Sequence, residues 1–572
     1  MYPVDSYETW ARRISIAQGH TPPDTVITGA RVLNVFTQQV IAGDLAIADG
    51  AIVGVGSWPH AHSTIDRTGC ILAPSFIDAH IHIESSMLWV SEFARAVVPH
   101  GTGAVIADPH EIANVAGLGG IAAMRDAAVG MPLNVHWAAP SCVPASVAES
   151  PGASLSVEDI SEVLAWHETS GLGEMMDFPA VLRAERSVYD KLRATGAMPR
   201  DGHAPGLRGR DLQAYAGAGI SSDHESTIMD EAREKLEAGM MLMLRQGSSE
   251  KNALDLLPLV NDATWHRCCF ASDDRDAHGL LHNGHVDDIL RTVIAAGLDP
   301  VRAITMATWN PASNWRLGNI GALAPGYQAN FVVLDSNLND LRVRETWYAG
   351  LPVARDGSCM AEMPTREISS ELTSSVHIAP LHLSDLQLPE HDARLAVQVI
   401  PDQIVTRVLD VHPIASNGLA VADPDQDLLK LVCVERHHAT GRVGVGLVHG
   451  IGLRRGAIAG SIGHDAHNIM AVGADDIDLL AAIATVADMQ GGLAVVADGQ
   501  VLTTMSLAIA GLMSESPLPV AAREYEEVES AARSLGSPLD SPFGILAFLC
   551  LSVIPEARVT DRGFLDLRRR LE

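Results

Sequence analysis

The sequence predicts an α/β protein. A (β/α)8 TIM-like barrel interrupts a small, split β-sandwich domain, and an additional C-terminal α+β domain follows. Three observations carry this. Two β-rich stretches of the same character, 25–57 and 321–357, stand far apart in the chain. Between them, apolar runs ending in polar clusters alternate with helical segments over a span close to the ~250 residues of such a barrel. Beyond residue 385, strand-like and helical patterns resume.

Taken in order, 25–57 (TVITGARVLNVFTQQVIAGDLAIADGAIVGVGS) breaks short β-rich runs with Gly, Asp and Gln-Gln turns, as antiparallel strands require. From about 72 to 318 come GAVIADPHE, PLNVHWAAPSC, RCCFASDD and the helix-like VDDILRTVIAAG. Residues 321–357 return to strands that would complete the first sheet domain. Residues 358–385, with MPTREISSELTSS, have linker composition. In the last unit LAVQVI, KLVCVERH and GLAVVADGQV are strand-like. Ile477, Leu480, Ile483, Ala484 and Met489 recur at roughly helical spacing, which predicts a core-facing row. The expected domains are 1–72 plus 318–365, 73–317 and 366–572.

Composition narrows the function. The 572 residues carry 40 Lys+Arg against 70 Asp+Glu, a formal charge of −30. A nucleic-acid binder needs the opposite balance, as does a protein drawn to anionic membranes. Only four residues are lysine: Lys191, Lys235, Lys251 and Lys430. Seven scattered cysteines without a C-x-x-C pair fit a reduced chain rather than a disulfide framework. The first twenty residues lack a signal-peptide pattern, and the longest mostly apolar run, 543–554, is shorter than the ~20 residues of a membrane span. A cytoplasmic location is expected.

The chemistry begins at Phe76-Ile77-Asp78-Ala79-His80-Ile81-His82. Residues i and i+2 of a strand share a face, so His80 and His82 project together, as two imidazole ligands of a divalent metal or as a buried histidine pair. Glu174, His203, His224 and Asp273 each sit at a candidate strand end, where a barrel places its active site. Four histidines and two carboxylates suffice for two ions, with Asp273 both ligand and base. Of the other metallohydrolase patterns, His82-Ile83-Glu84 has no P-C-x-x-C to follow it. HEIAN, HETSG and HESTI all lack the second histidine of H-E-x-x-H, and no phosphate-binding G-x-x-x-x-G-K-[ST] occurs.

The order HxH…Glu…His…His…Asp inside a barrel flanked by a split sandwich resembles the amidohydrolase superfamily. FIDAHIHIESSML, ADPHEIANVAG, GEMMDFP, GHAPGL, SSDHES and ASDDR resemble more narrowly the bacterial adenine deaminase family. So do VERHHATGRVGVGLVHGIGL, GSIGHDAHNIMAVG and ADMQGGLAVV of the last unit. The resemblance runs from about residue 25 to the C-terminus. It implies hydrolytic deamination of adenine to hypoxanthine and ammonia in purine salvage, at a binuclear centre of Mn²⁺ or Fe²⁺, with Zn²⁺ as the third option. His80, His82, Glu174, His203, His224 and Asp273 would be ligands, and Asp273, Glu174 and Glu225 would move protons. Glu174 would take the place of the carbamylated lysine of many binuclear relatives, or stay off the metals and protonate the ring.

Glu84, Asp108, His110, Glu111, Asp274, His464 and His467 are the substrate-binding candidates. Each has a plainer reading as a solvated loop, helix-cap or turn residue, and the His464–His467 segment also as a cation site. Glu435, His437 and His438 raise the same question. The partner is a small molecule, with no nucleic acid or membrane, and the commonest assembly is a homodimer. The rival reading is another hydrolase of the superfamily, opening a cyclic amide or removing an N-acyl group.

Overall fold

The computed structural model describes residues 6–248, 250–401 and 403–570. Strands Thr25–Thr28, Asp44–Ala48, Ala51–Gly56 and Ser63–Asp66 form a four-stranded sheet. It packs on a seven-stranded sheet built from both ends of the split. There Ile71–Pro74 pairs antiparallel with Phe331–Leu334, Ile71 opposite Leu334. Ile27, Leu45, Leu72 and Val333 fill the space between the sheets, and Phe331 stacks on Trp347 at 5.0 Å. Chain segments far apart in the sequence thus share one apolar layer, which holds the barrel's entry and exit together.

The barrel strands are β1 (Phe76–Ile81), β2 (Thr102–Ala107), β3 (Asn134–Ala139), β4 (Thr169–Met175), β5 (Arg200–Gly202), β6 (Ser222–Asp223), β7 (Met241–Arg245) and β8 (Cys268–Ala271). Neighbours from β1 to β5 and from β6 to β8 pair in parallel. Ser221 N–H donates to Arg200 O, joining β5 to β6, and Ile81 bridges Asp273 to close the ring. Gly173 in β4 is a steric necessity. A Cβ there would lie 2.1 Å from the Asp108 carboxylate, which accepts a hydrogen bond from Glu174 N at 2.9 Å.

The C-terminal unit carries an eight-stranded, mostly antiparallel sheet. Its core is continuous with the barrel's outer layer: Phe93, Val105 and Ile112 belong to one apolar cluster with Leu431, Ile458, Met470 and Leu512. Helix α1 (Asp476–Asp488) forms where the spacing predicts it, capped by the Asp475 carboxylate. Its buried face differs from the expected row. Leu479, Ala482, Ile483, Val486 and Ala487 are buried, whereas Ile477 is 64% exposed and Ala484 is also exposed. The true stripe is offset because it must meet Val432, Ala459 and Ala494 of the sheet. No helix among the described residues is long and apolar enough to cross a membrane.

Candidate metal centre and active site

His80 lies in β1 and His82 just beyond it. Glu174 is in β4, His203 follows β5, His224 follows β6, and Asp273 stands two residues past β8. All six are buried and converge at the carboxyl end of the barrel. The Nε2 atoms of His80 and His82 are 3.1 Å apart, and Asp273 Oδ1 lies 3.4 and 3.3 Å from them. Glu174 Oε2 lies 2.6 Å from His203 Nδ1 and 3.1 Å from His224 Nε2. Its other oxygen is 3.4 Å from His82 Nε2. Glu174 therefore reaches toward both histidine pairs. Asp273 is held in the left-handed region at φ 60°, a conformation that functional sites retain because their surroundings enforce it.

The outer contacts set the tautomers. His82 Nδ1 is 2.9 Å from the Asp108 carbonyl, a hydrogen bond, and His80 Nδ1 is 2.8 Å from Asp201 Oδ2, a charge contact without hydrogen-bond geometry. A carbonyl or carboxylate on Nδ1 keeps the proton there and leaves the Nε2 lone pair for a ligand bond. This donor set fits a divalent metal: paired imidazoles and carboxylates, buried, with their lone pairs turned inward.

Sequence reasoning missed four contributors. Asp201 sits between His80 and His224, its Oδ2 3.6 Å from His224 Nδ1. The signal was its i, i+2 relation to His203 on β5. Arg245 ends the apolar run MLMLR of β7. Its Nη1 donates to Asp273 Oδ2 at 2.6 Å and also to Glu225. Glu250 and Asp465 line the same chamber; nothing local in the sequence marks Glu250, whereas Asp465 lies inside the polar His464–His467 segment without having been singled out. Lys235 is fully buried and binds Asp223 at 2.6 Å, Glu231 at 2.8 Å and the Ala204 carbonyl at 2.9 Å. It braces the turns that carry His203 and His224, and takes no place among the inward-facing donors.

Glu225, His110, Glu111, Asp274 and His464 all line the chamber. Three others stand behind the wall. Asp108 supports Glu174, Glu84 accepts from Ile112 N at 3.1 Å, and His467 backs Glu111. Glu435 accepts from the backbone of His437, His438 and Thr440, and so stabilises a turn. The chamber is about 30 Å³, roofed by Ile404, Phe548, Leu551 and Ile554 of the last unit. A neighbouring cavity of about 130 Å³ shares Asp274, His464 and Phe548 with it, so these three form the partition.

Burial opposes the charge on Glu174, but His203 and His224 outweigh it and hold the carboxyl well below the usual range. For Asp273, burial is likewise overcome, chiefly by Arg245. Burial pushes Glu250 up to about 7 and Asp465 up to about 6.

The amidohydrolase family profile matches residues 71–356, and the adenine deaminase C-terminal domain matches residues 403–570. An adenine deaminase of Dehalococcoides mccartyi is 46% identical over 97% of this chain and 97% of its own. One from Desulfatibacillum aliphaticivorans is 43% identical, and one from Methanothrix thermoacetophila 42%, each over 97% of both chains.

Proposed function

The chain belongs to the adenine deaminases of the amidohydrolase family, and from that premise we propose that it hydrolyses adenine to hypoxanthine and ammonia. The observation that carries the reading is the convergence of Glu174 and Asp273 on four inward-facing imidazoles at a buried barrel mouth. His80, His82, His203, His224, Glu174 and Asp273 would hold two divalent ions, with Mn²⁺ or Fe²⁺ favoured over Zn²⁺. The ions would bring the pKa of a bound water near neutrality.

The protein's own residues do the rest. Asp273 presents Oδ1 toward the histidine pair while Arg245 fixes Oδ2, so the carboxylate is oriented to take a proton from water attacking C6. It then passes that proton to the departing amino group. Glu225, or Glu174 in the alternative in which it stays off the ions, supplies a proton to N1, which lets the ring absorb the electron pair displaced at C6. Phe548, Leu551 and Ile554 exclude bulk water. The chain divides into a composite sandwich domain (1–72 with 318–365), a catalytic barrel (73–317) and a roofing unit (366–572). It acts in purine salvage, in the cytoplasm, as a homodimer.

The test is ammonia release together with the adenine-to-hypoxanthine absorbance change, on protein stripped of metal and reloaded with Mn²⁺, Fe²⁺ or Zn²⁺. Metal-restored turnover is expected. Silence with every metal would sink adenine as substrate and send the search to cyclic amides and N-acyl compounds.

A further inference from the structure

Arg245 is buried at 2% exposure, and only part of its guanidinium is used. Nη1 bonds both Asp273 and Glu225, whereas Nε and Nη2 are buried with no hydrogen-bond partner in the protein. Glu250 Oε2 stands 4.0 Å from Nη2, too far for a hydrogen bond. Both side chains line the catalytic chamber. A buried donor pair left open beside an open carboxylate is a complement waiting for a ligand edge that carries an acceptor next to a donor.

This step rests on the adenine reading. Adenine has such edges on either side of C6, the reacting carbon. On one side lies N1, which must accept a proton; a guanidinium there would oppose protonation. On the other lies N7, a permanent acceptor, next to the 6-amino group, a donor. We propose that Arg245 and Glu250 read the N7/C6 edge of the purine: Arg245 donates to N7, and Glu250 accepts from the 6-amino group. The planar Arg fork matches an N7/O6 acceptor pair bidentately, as it does on guanine. The product presents that same pair once the amine is replaced by oxygen. Arg245 thus holds the ring at N7 before and after reaction, while Glu250 loses its donor and faces an oxygen. Product release is thus set by the balance between the Arg245 fork, which gains an acceptor at O6, and Glu250, which loses its donor.

The experiment compares metal-loaded wild type, Arg245→Lys and Glu250→Gln on adenine, 7-deazaadenine and 3-deazaadenine. Wild type should prefer adenine over 7-deazaadenine by roughly 10³-fold or more in kcat/KM, because the analogue leaves the buried donors unpaired. Arg245→Lys keeps the charge beside Asp273 but loses the fork. It should shrink that preference at least ~10-fold and leave the preference over 3-deazaadenine as it was. Glu250→Gln should raise KM for adenine ~10-fold and tighten inhibition by hypoxanthine, since an amide can donate to O6. The proposal is overturned if Arg245→Lys loses activity equally on all three compounds. Should that variant fail to fold, Glu250→Gln decides: adenine and hypoxanthine affinities moving in the same direction would refute it. No adenine turnover by wild type would instead remove the proposed reaction.

Discussion

The barrel mouth and its seam with the C-terminal unit hold clusters of the same residue types, histidine and carboxylate, but at the seam one ring, His467, carries its proton on the opposite nitrogen. At the mouth, His80 and His82 have Nδ1 against Asp201 and the Asp108 carbonyl, so Nε2 is bare and faces its neighbours. At the seam, His467 Nδ1 accepts from Gly463 N–H at 3.3 Å, so Nε2 carries the proton and donates it to Glu111. His464 Nδ1 engages the other Glu111 oxygen at 2.7 Å. The first cluster presents lone pairs to a shared centre. In the second, His464 and His467 each engage one oxygen of Glu111, with His110 Nε2 3.4 Å from the oxygen that His464 takes, and the contact clasps two domains. Residue type and burial are alike in both; at His467 the Gly463 amide on the far side of the ring turns the protonated nitrogen toward Glu111.

The largest effect that would break this contrast is at Asp273. Asp273→Asn should lower kcat by at least ~10³-fold with the circular dichroism spectrum unchanged. Retained turnover would take the base role away from this residue. Glu174→Gln should follow, losing metal by elemental analysis together with ~10²-fold of activity, on the scale of a removed ligand. Full metal content with collapsed activity would favour Glu174 as the N1 proton donor. Asp201→Asn tests the tautomer argument itself. It should weaken metal affinity by ~10–100-fold in a chelator competition, as outer partners of ligating histidines do. Unchanged affinity would mean that Asp201 does not hold His80.

The two lysine- and histidine-based braces sharpen the other half. Lys235→Met leaves two buried carboxylates unpaired and should destabilise by about 3–5 kcal/mol in urea unfolding, without removing any inward-facing donor. The seam has a pH signature. Burial works against a charged His464, but Glu111, with Asp274 and Asp465 nearby, raises it to about 9. A raised histidine stabilises fully below its unfolded value of about 6.5, and that contribution is lost as pH rises through 9. The loss is on the order of 3 kcal/mol across that window by linkage. Burial pushes His467 the other way, to about 4, so its neutral form costs stability as pH falls below about 6.5. His464→Asn should flatten the decline of the urea midpoint between pH 7 and 9. A decline as steep as wild type would show that another group titrates.

The positions of the strand-end histidines were legible because barrel geometry ties a place at the mouth to a local pattern: an apolar run, then a polar residue at its carboxyl end. Glu84 and Asp108 look like site residues by the same rule, yet the structure turns them to the Ile112 and Glu174 amides. The row from Ile477 to Met489 was misread because helical spacing has two solutions differing by one residue, and only the sheet beneath selects one.

What the sequence determined alone is what adjacent residues determine: the β-then-α alternation, the split sandwich strands, the HxH pair and the strand-end order of the ligand candidates. The tertiary structure decided what depends on residues far apart. Asp201 reaches back to His80, Arg245 joins Asp273 to Glu225, and Asp465 and Phe548 close a chamber begun more than three hundred residues earlier. Those roles come from distance and from which atom of a ring or carboxylate is left free. A linear pattern carries neither, because both are set when separate chain segments are packed into one buried space.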